Sequence, residues 1–480
     1  MASWGASGGS RGLAVGTIAF TACSLYLAPV RADTLEGALV QAYQNNPTLN
    51  AQRASVRVTD ENVPQALAGY RPRVTATGTI GQQYWDTTTR STFKGPFVPS
   101  ATNPTPYTTL VGGMTPYSGG VTATQTLFNG FQTASRTRQA ESQVQSARET
   151  LRVTEQTVLL SAVTAYMNLL RDSAILDLQR RNVEVLQEQL RQTRDRFNVG
   201  EVTRTDVAQS ESRLAAGRSQ VLSAEATYKA SVATYRQVIG VEPGKLAPGS
   251  PVDRFSPPNL AQSIGVGTAT HPAVTTAQYT VDAALEAVKV AEAALYPTVS
   301  LQGSVQQANE QSLLSLKSFN ALALGQISIP IYQGGSEYSL IRQSKETLGQ
   351  RRLDLDTARD SVRQNIVQSW GQLEAAKGNI EATQAQVQAA EIALNGVREE
   401  ARVGQRTTLD VLNAQQELVN ARVALVSAQR DRVVASYTLL SAVGRLSPQI
   451  LGLRVLTYDS AVHYHQVRDT WGGVRTPDGR

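Results

Sequence analysis

Two aspartates, Asp206 and Asp410, occupy the same place in two copies of one pattern. Phe197-Asn198-Val199-Gly200-Glu201-Val202-Thr203-Arg204-Thr205-Asp206-Val207 returns as Ala401-Arg402-Val403-Gly404-Gln405-Arg406-Thr407-Thr408-Leu409-Asp410-Val411. The chemistry these residues offer is that of a helix that stops and restarts. Gly200 and Gly404 suit a C-terminal cap with positive φ, because glycine has no Cβ to clash there. Thr203 and Thr407, or Thr205 and Thr408, suit the next N-cap, with the aspartate near the positive end of that helix's dipole. No catalytic constellation accompanies them. Of the three histidines, His271 sits beside a proline, while His463 and His465 flank Tyr464 in a polar C-terminal stretch. No carboxylate or thiol cluster supports a metal site there, so the pair reads as solvated tail. Neither a phosphate-cradling glycine loop nor a nucleophile–base pair is evident, so no enzyme activity, cofactor or metal is expected.

The positioning elements are themselves duplicated. The 204-residue shift that relates the two turns also carries Leu127-Phe128-Asn129-Gly130 onto Ile331-Tyr332-Gln333-Gly334, Tyr166 onto Trp370 and Gly240 onto Gly444. Upstream, Pro47, Pro72, Val74 and Gly78 map onto Pro272, Pro297, Val299 and Gly303 with a shift of 225. A repeat of this length is a structural unit copied within one chain. It divides the protein into repeats at 33–240 and 259–445, a proline-rich linker at 241–258 and a tail at 446–480 expected to be poorly ordered.

Arg73 to Ile80 and Thr298 to Val305 alternate strictly between apolar and small polar residues. Their expected partners are Gly120 to Phe128, with Val121, Ala123 and Leu127 on one face, and Ala321 to Tyr332, with Ile327, Ile329 and Ile331 on one face. Period-two runs of about ten residues with one apolar face match transmembrane β-strands; a water-soluble amphipathic sheet has the same pattern. Loops are expected at about 85–118, rich in Pro, Thr, Tyr and Gly, and at about 308–318.

The remainder reads as helix. Ala162, Leu169, Leu176, Val183, Leu190 and Phe197 recur every seventh residue, as do Ile366, Leu373, Ile380, Val387, Leu394 and Ala401. Such a narrow seam is a coiled-coil signal. Sixty-odd helical residues span about 100 Å, and helices at about 205–238 and 409–442 return the chain. With 41% hydrophobic and only 6% aromatic residues, the composition suits long helices meeting through seams better than a thick core. A net charge of +6 without any Lys/Arg block argues against nucleic-acid binding.

Residues 1–32 read as a secretory signal: Arg11, an apolar stretch from Gly12 to Val30, and small residues at Val30-Arg31-Ala32. A membrane anchor and a lipoprotein site at Cys23 are the alternatives. Cleavage removes Cys23, the sole cysteine.

Four membrane strands per chain cannot close a barrel, and an open edge in lipid leaves backbone groups unpaired at several kcal/mol each. The strands must then be shared between chains. The helices lack an 18-residue apolar run and must project into water. The repeated Val-Gly…Thr…Asp-Val turns, the early Asn46-Pro47 and the Asn129-Gly130 and Gly334 junctions resemble those of TolC-like outer-membrane channels, over about 34–445. The resemblance implies a mainly α protein with membrane β: a homotrimer with a shared twelve-stranded barrel in outer-membrane lipid and a periplasmic α-helical tunnel. It also implies export of small molecules or proteins together with a periplasmic adaptor and an inner-membrane transporter. A soluble periplasmic coiled-coil adaptor or scaffold is the rival reading.

The same resemblance implies roles at the turns. Asp410 corresponds to an aspartate lining the tunnel's constriction, and Asn413 stands where a second aspartate lies in the family. Arg406 corresponds to an arginine that holds neighbouring coiled coils closed, with Asp206 and Thr205 as partners. Ala401 replaces a tyrosine that supports this latch. Val199, Gly200, Val403 and Gly404, at the hairpin tips, are where an adaptor is expected to touch.

Overall fold

The computed structural model describes residues 34–90, 107–312 and 315–477. The expected signal at 1–32, with Cys23, lies outside the described residues. The first half contains α1 (Leu35–Asn45), α2 (Pro47–Asp60), α3 (Asn62–Leu67), β1 (Arg73–Ile80), β2 (Gln83–Arg90), β3 (Tyr107–Met114), β4 (Tyr117–Asn129), α4 (Gln132–Asn198) and α5 (Arg204–Ile239). The second contains α6 (Leu260–Thr270), α7 (Pro272–Glu292), β5 (Thr298–Ser312), β6 (Ser315–Ser328), α8 (Ser336–Arg402) and α9 (Thr408–Ala442), and α10 (Ser460–Val467) follows. The duplicated order read from the sequence is thus present.

Both early prolines start helices. Asn46 Oδ1 accepts from the Thr48 and Leu49 amides, and His271 Nδ1 accepts from the Ala273 amide, capping α2 and α7. Proline is tolerated there because the first helical N–H groups have no intrahelical acceptor. α4 and α8 each run for 67 residues, about 100 Å at 1.5 Å per residue. Among the described residues no helix is long and apolar enough to cross a membrane.

The heptad seam is the core. Ala162, Leu169, Leu176 and Leu190 are buried on α4, and Ile366, Leu373 and Leu394 on α8. The largest apolar cluster joins Leu159, Tyr166 and Leu169 of α4 to Leu35 and Leu39 of α1, Tyr235 and Ile239 of α5, and Tyr437 and Leu440 of α9. Each such side chain contributes roughly 2 kcal/mol by leaving water. The linker is drawn into this layer: Tyr166 Oη donates to Ala247 O at 2.6 Å, and Val252 is buried. Toward the tip the seam loosens, and Phe197 is exposed.

The sheet has the order β1-β4-β5-β6, antiparallel throughout. Val74, Ala76 and Ile80 share a face with Val121, Ala123, Val305, Leu301 and Ile327, while Thr75, Thr77, Thr122, Ser304 and Gln302 share the other. Leu322 and Leu324 depart from the pattern, pairing with Ser304 and Gln302 on the polar side. A bulge between Thr126 and Phe128 leaves Leu127 outside the ladder, so Phe128, not Leu127, meets Val299.

Three strand limits differ from the sequence reading. The loop expected at about 85–118 is largely strand: β2 pairs with β3, and the hairpin continues the β1–β4 register past Pro116. Pro116 has no N–H to donate, so it interrupts the ladder without ending it. The β-branched run Thr87-Thr88-Thr89 and its partners Leu110, Thr109 and Thr108 extend it. Pro96, Pro99, Pro104 and Pro106 lie outside the described residues. Likewise β5 and β6 run through most of the loop expected at about 308–318. At the other end β6 stops at Ser328, leaving Ile329 and Ile331 outside it, because Pro330 cannot donate to the ladder.

The tail differs most. The stretch expected to be poorly ordered holds α10, which packs on α2. His463 is buried, not solvated, and its Nδ1 lies 3.0 Å from Oδ2 of the fully buried Asp60; His465 is exposed. Arg148 donates to Ser460 O and stacks on the Tyr464 ring, while Arg71 donates to Thr470 O and covers the Trp471 ring. Burial raises the Asp60 carboxyl above its ordinary range, and the His463 hydrogen bond opposes that shift.

Candidate functional site at the hairpin tips

α4 turns into α5, and α8 into α9, through the two repeated motifs. Gly200 and Gly404 have φ of 83° and 78°. Glu201 N reaches back to Arg196 O at 2.9 Å, and Gln405 N to Glu400 O at 2.9 Å. These bonds to the carbonyl five residues earlier satisfy helix-end carbonyls and explain the glycine in both copies. Of the caps left open by the sequence, the structure uses Thr203 and Thr407. Asp206 Oδ2 accepts from Thr203 N at 2.9 Å and Oγ1 at 2.7 Å; Asp410 Oδ2 accepts from Thr407 N at 3.0 Å and Oγ1 at 2.9 Å. Reciprocal bonds run from the aspartate amides to the threonine hydroxyls.

These bonds set the electrostatics. The Thr203 hydroxyl and amide hold the Asp206 carboxyl below its ordinary value. Asp410 is lowered too, first by the Thr407 amide, then by its hydroxyl, with Arg406 adding attraction. The Arg406 guanidinium is raised, chiefly by its hydrogen bond to Glu400.

The single chain brings Arg406 to Glu400, Nε to Oε2 at 2.8 Å, on its own hairpin. It does not bring Arg406 to Asp206, whose carboxylate serves its own cap, and Thr205 is exposed at the start of α5. Asn413 Oδ1 accepts from Arg213 Nη2 of the other hairpin at 2.7 Å. Sequence reasoning missed Glu400 and Arg213. The first had a signal: Arg196 and Glu400 are equivalent positions of opposite charge, and each pairs with an opposite charge in its turn, Glu201 or Arg406. Val199 and Val403 project at the extreme tips, 72% and 71% exposed.

Two long hairpins hung from a small amphipathic sheet are an architecture shared with known proteins. The profile of the family described as outer membrane efflux protein matches residues 38–241 and 268–445. The chain belongs to that efflux family. It is 43% identical over 449 residues to the outer membrane efflux protein BepC of Brucella suis, covering 93% of each chain. To the outer membrane protein TolC of Escherichia coli it is 28% identical over 318 residues, 63% of this chain and 64% of that one. Among solved structures, the CmeC outer membrane channel of Campylobacter jejuni matches with a TM-score of 0.73 at 16% identity, over 91% of this chain and 89% of that one. At that identity the match speaks to fold alone. As an efflux-family member, the chain is an export channel of the outer membrane, and the resemblance read from its turns is borne out at the level of family and fold.

Proposed function

We propose that three copies of this efflux-family chain close a twelve-stranded barrel, and that their hairpins form a tunnel gated at the tips. The observation that carries this reading is the open sheet: β1 and β6 are the outer strands of a four-stranded array, each with one edge unpaired among the described residues. An outer-membrane sheet with two open edges is untenable in lipid unless another chain covers them. Four strands from each of three chains satisfy every edge and leave the Thr/Ser/Gln face toward a lumen.

In this assembly the channel works with a periplasmic adaptor and an inner-membrane transporter, exporting small molecules, proteins or both. Val199, Gly200, Val403 and Gly404 form the adaptor-facing end. Asp410 and Asn413 line the constriction, and Arg406 latches across to Asp206 and Thr205 of a neighbouring coiled coil, leaving Glu400 when it does so. The neutral lumen face imposes little substrate chemistry, so cargo is chosen by the transporter. The protease-secretion protein AprF of Pseudomonas aeruginosa, 26% identical over 333 residues, is one relative that supports a secretion role. No specific observation favours the soluble-scaffold reading.

Cysteines placed on the outer edges of β1 and β6, in a mature chain free of thiols, test the assembly. A bifunctional maleimide added to outer membranes is expected to produce covalent dimers and trimers. Monomers alone, with both thiols reactive, overturn the shared barrel.

A further inference from the structure

Near the tips the two hairpins of one protomer meet through consecutive residues of α9. Leu412 is buried against Leu186 and Leu190 of α4 and Leu214 of α5. Its neighbour Asn413 takes the hydrogen bond from Arg213, the neighbour of Leu214. Gln415 Nε2 then donates to Asn182 Oδ1 at 3.5 Å. The apolar pair therefore decides where the polar pair meets, and Arg213 reaches Asn413 because Leu214 is already seated against Leu412.

The charge that arrives is not neutralised on the way. Arg213 makes no ion pair among the described residues. Nearby acids are engaged elsewhere: Glu211 with Arg194, Asp206 and Asp410 in their caps. One turn away on α5 lie Gln209, Ser210, Ala216 and Gly217, none of them acidic. Asn413 follows Asp410 by three residues on α9, about 4.5 Å along the axis. A carboxylate at 413 would have cancelled the guanidinium, whereas an amide accepts its hydrogen bond and leaves its charge.

We propose that Arg213 is a charge-selectivity residue of the channel: held by Asn413, it sets a basic ring one turn from the acidic ring of Asp410. This rests on the reading of Asp410 and Asn413 as lining the constriction. The paired rings make the tip less hostile to anionic solutes, such as carboxylates and chloride, than an acidic ring alone.

Reversal potentials of the full mature channel in planar bilayers under a KCl gradient test it. Arg213→Gln removes the charge and keeps an amide donor; Asn413→Asp neutralises it in place. Both are expected to raise the K+/Cl− permeability ratio about sevenfold, because one charge at ~7 Å in a water-like medium shifts K+ and Cl− by about threefold each in opposite directions, and Arg213→Lys is expected to keep the wild-type ratio. A purely mechanical tie would alter conductance without moving the ratio. If Arg213→Gln and Asn413→Asp leave the ratio unchanged while Asp410→Asn lowers it, Arg213 has no such role although the constriction stands. If Asp410→Asn is silent as well, the constriction reading falls and takes this inference with it.

Discussion

Arg406 Nε donates to Glu400 Oε2 at 2.8 Å across the second hairpin turn, while the equivalent turn of the first hairpin joins Arg196 to Glu201 with the charges reversed. The repeat thus keeps an ion pair at each tip and changes which side supplies the cation. At the second tip the paired arginine lies beyond the glycine, whereas at the first it precedes it.

In the proposed latch, Glu400 competes with the neighbouring coiled coil for Arg406. Glu400→Gln is expected to lengthen closed dwell times, because Arg406 loses its partner on the same hairpin. Arg406→Ser is expected to shorten them and raise conductance several-fold. Single-channel recordings decide; equal dwell times in wild type and both variants would remove Arg406 from the gate.

The capping boxes predict an acid-sensitive tip. Asp206 and Asp410 have folded values below the ordinary aspartate value of about 3.8. Their stabilisation is therefore complete above that value and lost as pH falls through the lowered ones. Amide-exchange protection in residues 408–412 should be flat from neutral pH to about 4 after correction for intrinsic rates, then fall. Thr407→Ala removes the hydroxyl partner at a cost of about 1 kcal/mol, seen as roughly five-fold lower local protection at pH 7. Unchanged protection would show that the cap is redundant.

His463→Ala strips the partner from the fully buried Asp60. Leaving a buried polar group without its hydrogen-bond partner costs about 1–3 kcal/mol, so at pH 7 the variant should melt earlier and its tail should become protease-sensitive. Burial raises the Asp60 value. Its charged form thus penalises the fold increasingly as pH rises through the carboxylate range, and the penalty disappears when the group is protonated. The deficit of His463→Ala should consequently shrink toward pH 4. A deficit constant between pH 7 and pH 4 would assign the loss to packing alone.

Gly130, at the junction of β4 and α4, has φ of 63°, and a Cβ there would lie 2.6 Å from Tyr296 Cβ and 2.9 Å from Ala293 O. Gly130→Ala must displace backbone, whereas the equivalent Gly334, with open space around it, bears only the strain of its φ. Assembled protein in outer membranes should fall sharply for Gly130→Ala and much less for Gly334→Ala. Equal yields would show that the junction yields freely.

What the sequence made legible was whatever repeats. The seven-residue seam, the two capped turns and the paired strands are periodic, and each needs only local residue types to be recognised. Strand limits were less legible because Pro116 looks like a loop residue until its place between two in-register ladders is seen. Contacts between distant elements left no local trace. His463 meets Asp60 across 403 positions, and Arg213 meets Asn413 across 200; neither pairing follows from the spacing of its own helix. At the tips the glycines, threonines and aspartates were recognisable; the charge reversal between Arg196 and Glu400 was a legible signal left unread, and Arg213 carried none.

The docking of α10 on α2 also bears on how the protein is made. The residues of α10 include the partner of Asp60, 403 positions further along the chain, and so are made long after it. Until they arrive, the first repeat holds a carboxylate it cannot bury without penalty, however complete its own helices are. A chain truncated before α10 would keep that fault, so the distant pairing of His463 with Asp60 ties the stability of the first repeat to a segment made after both repeats.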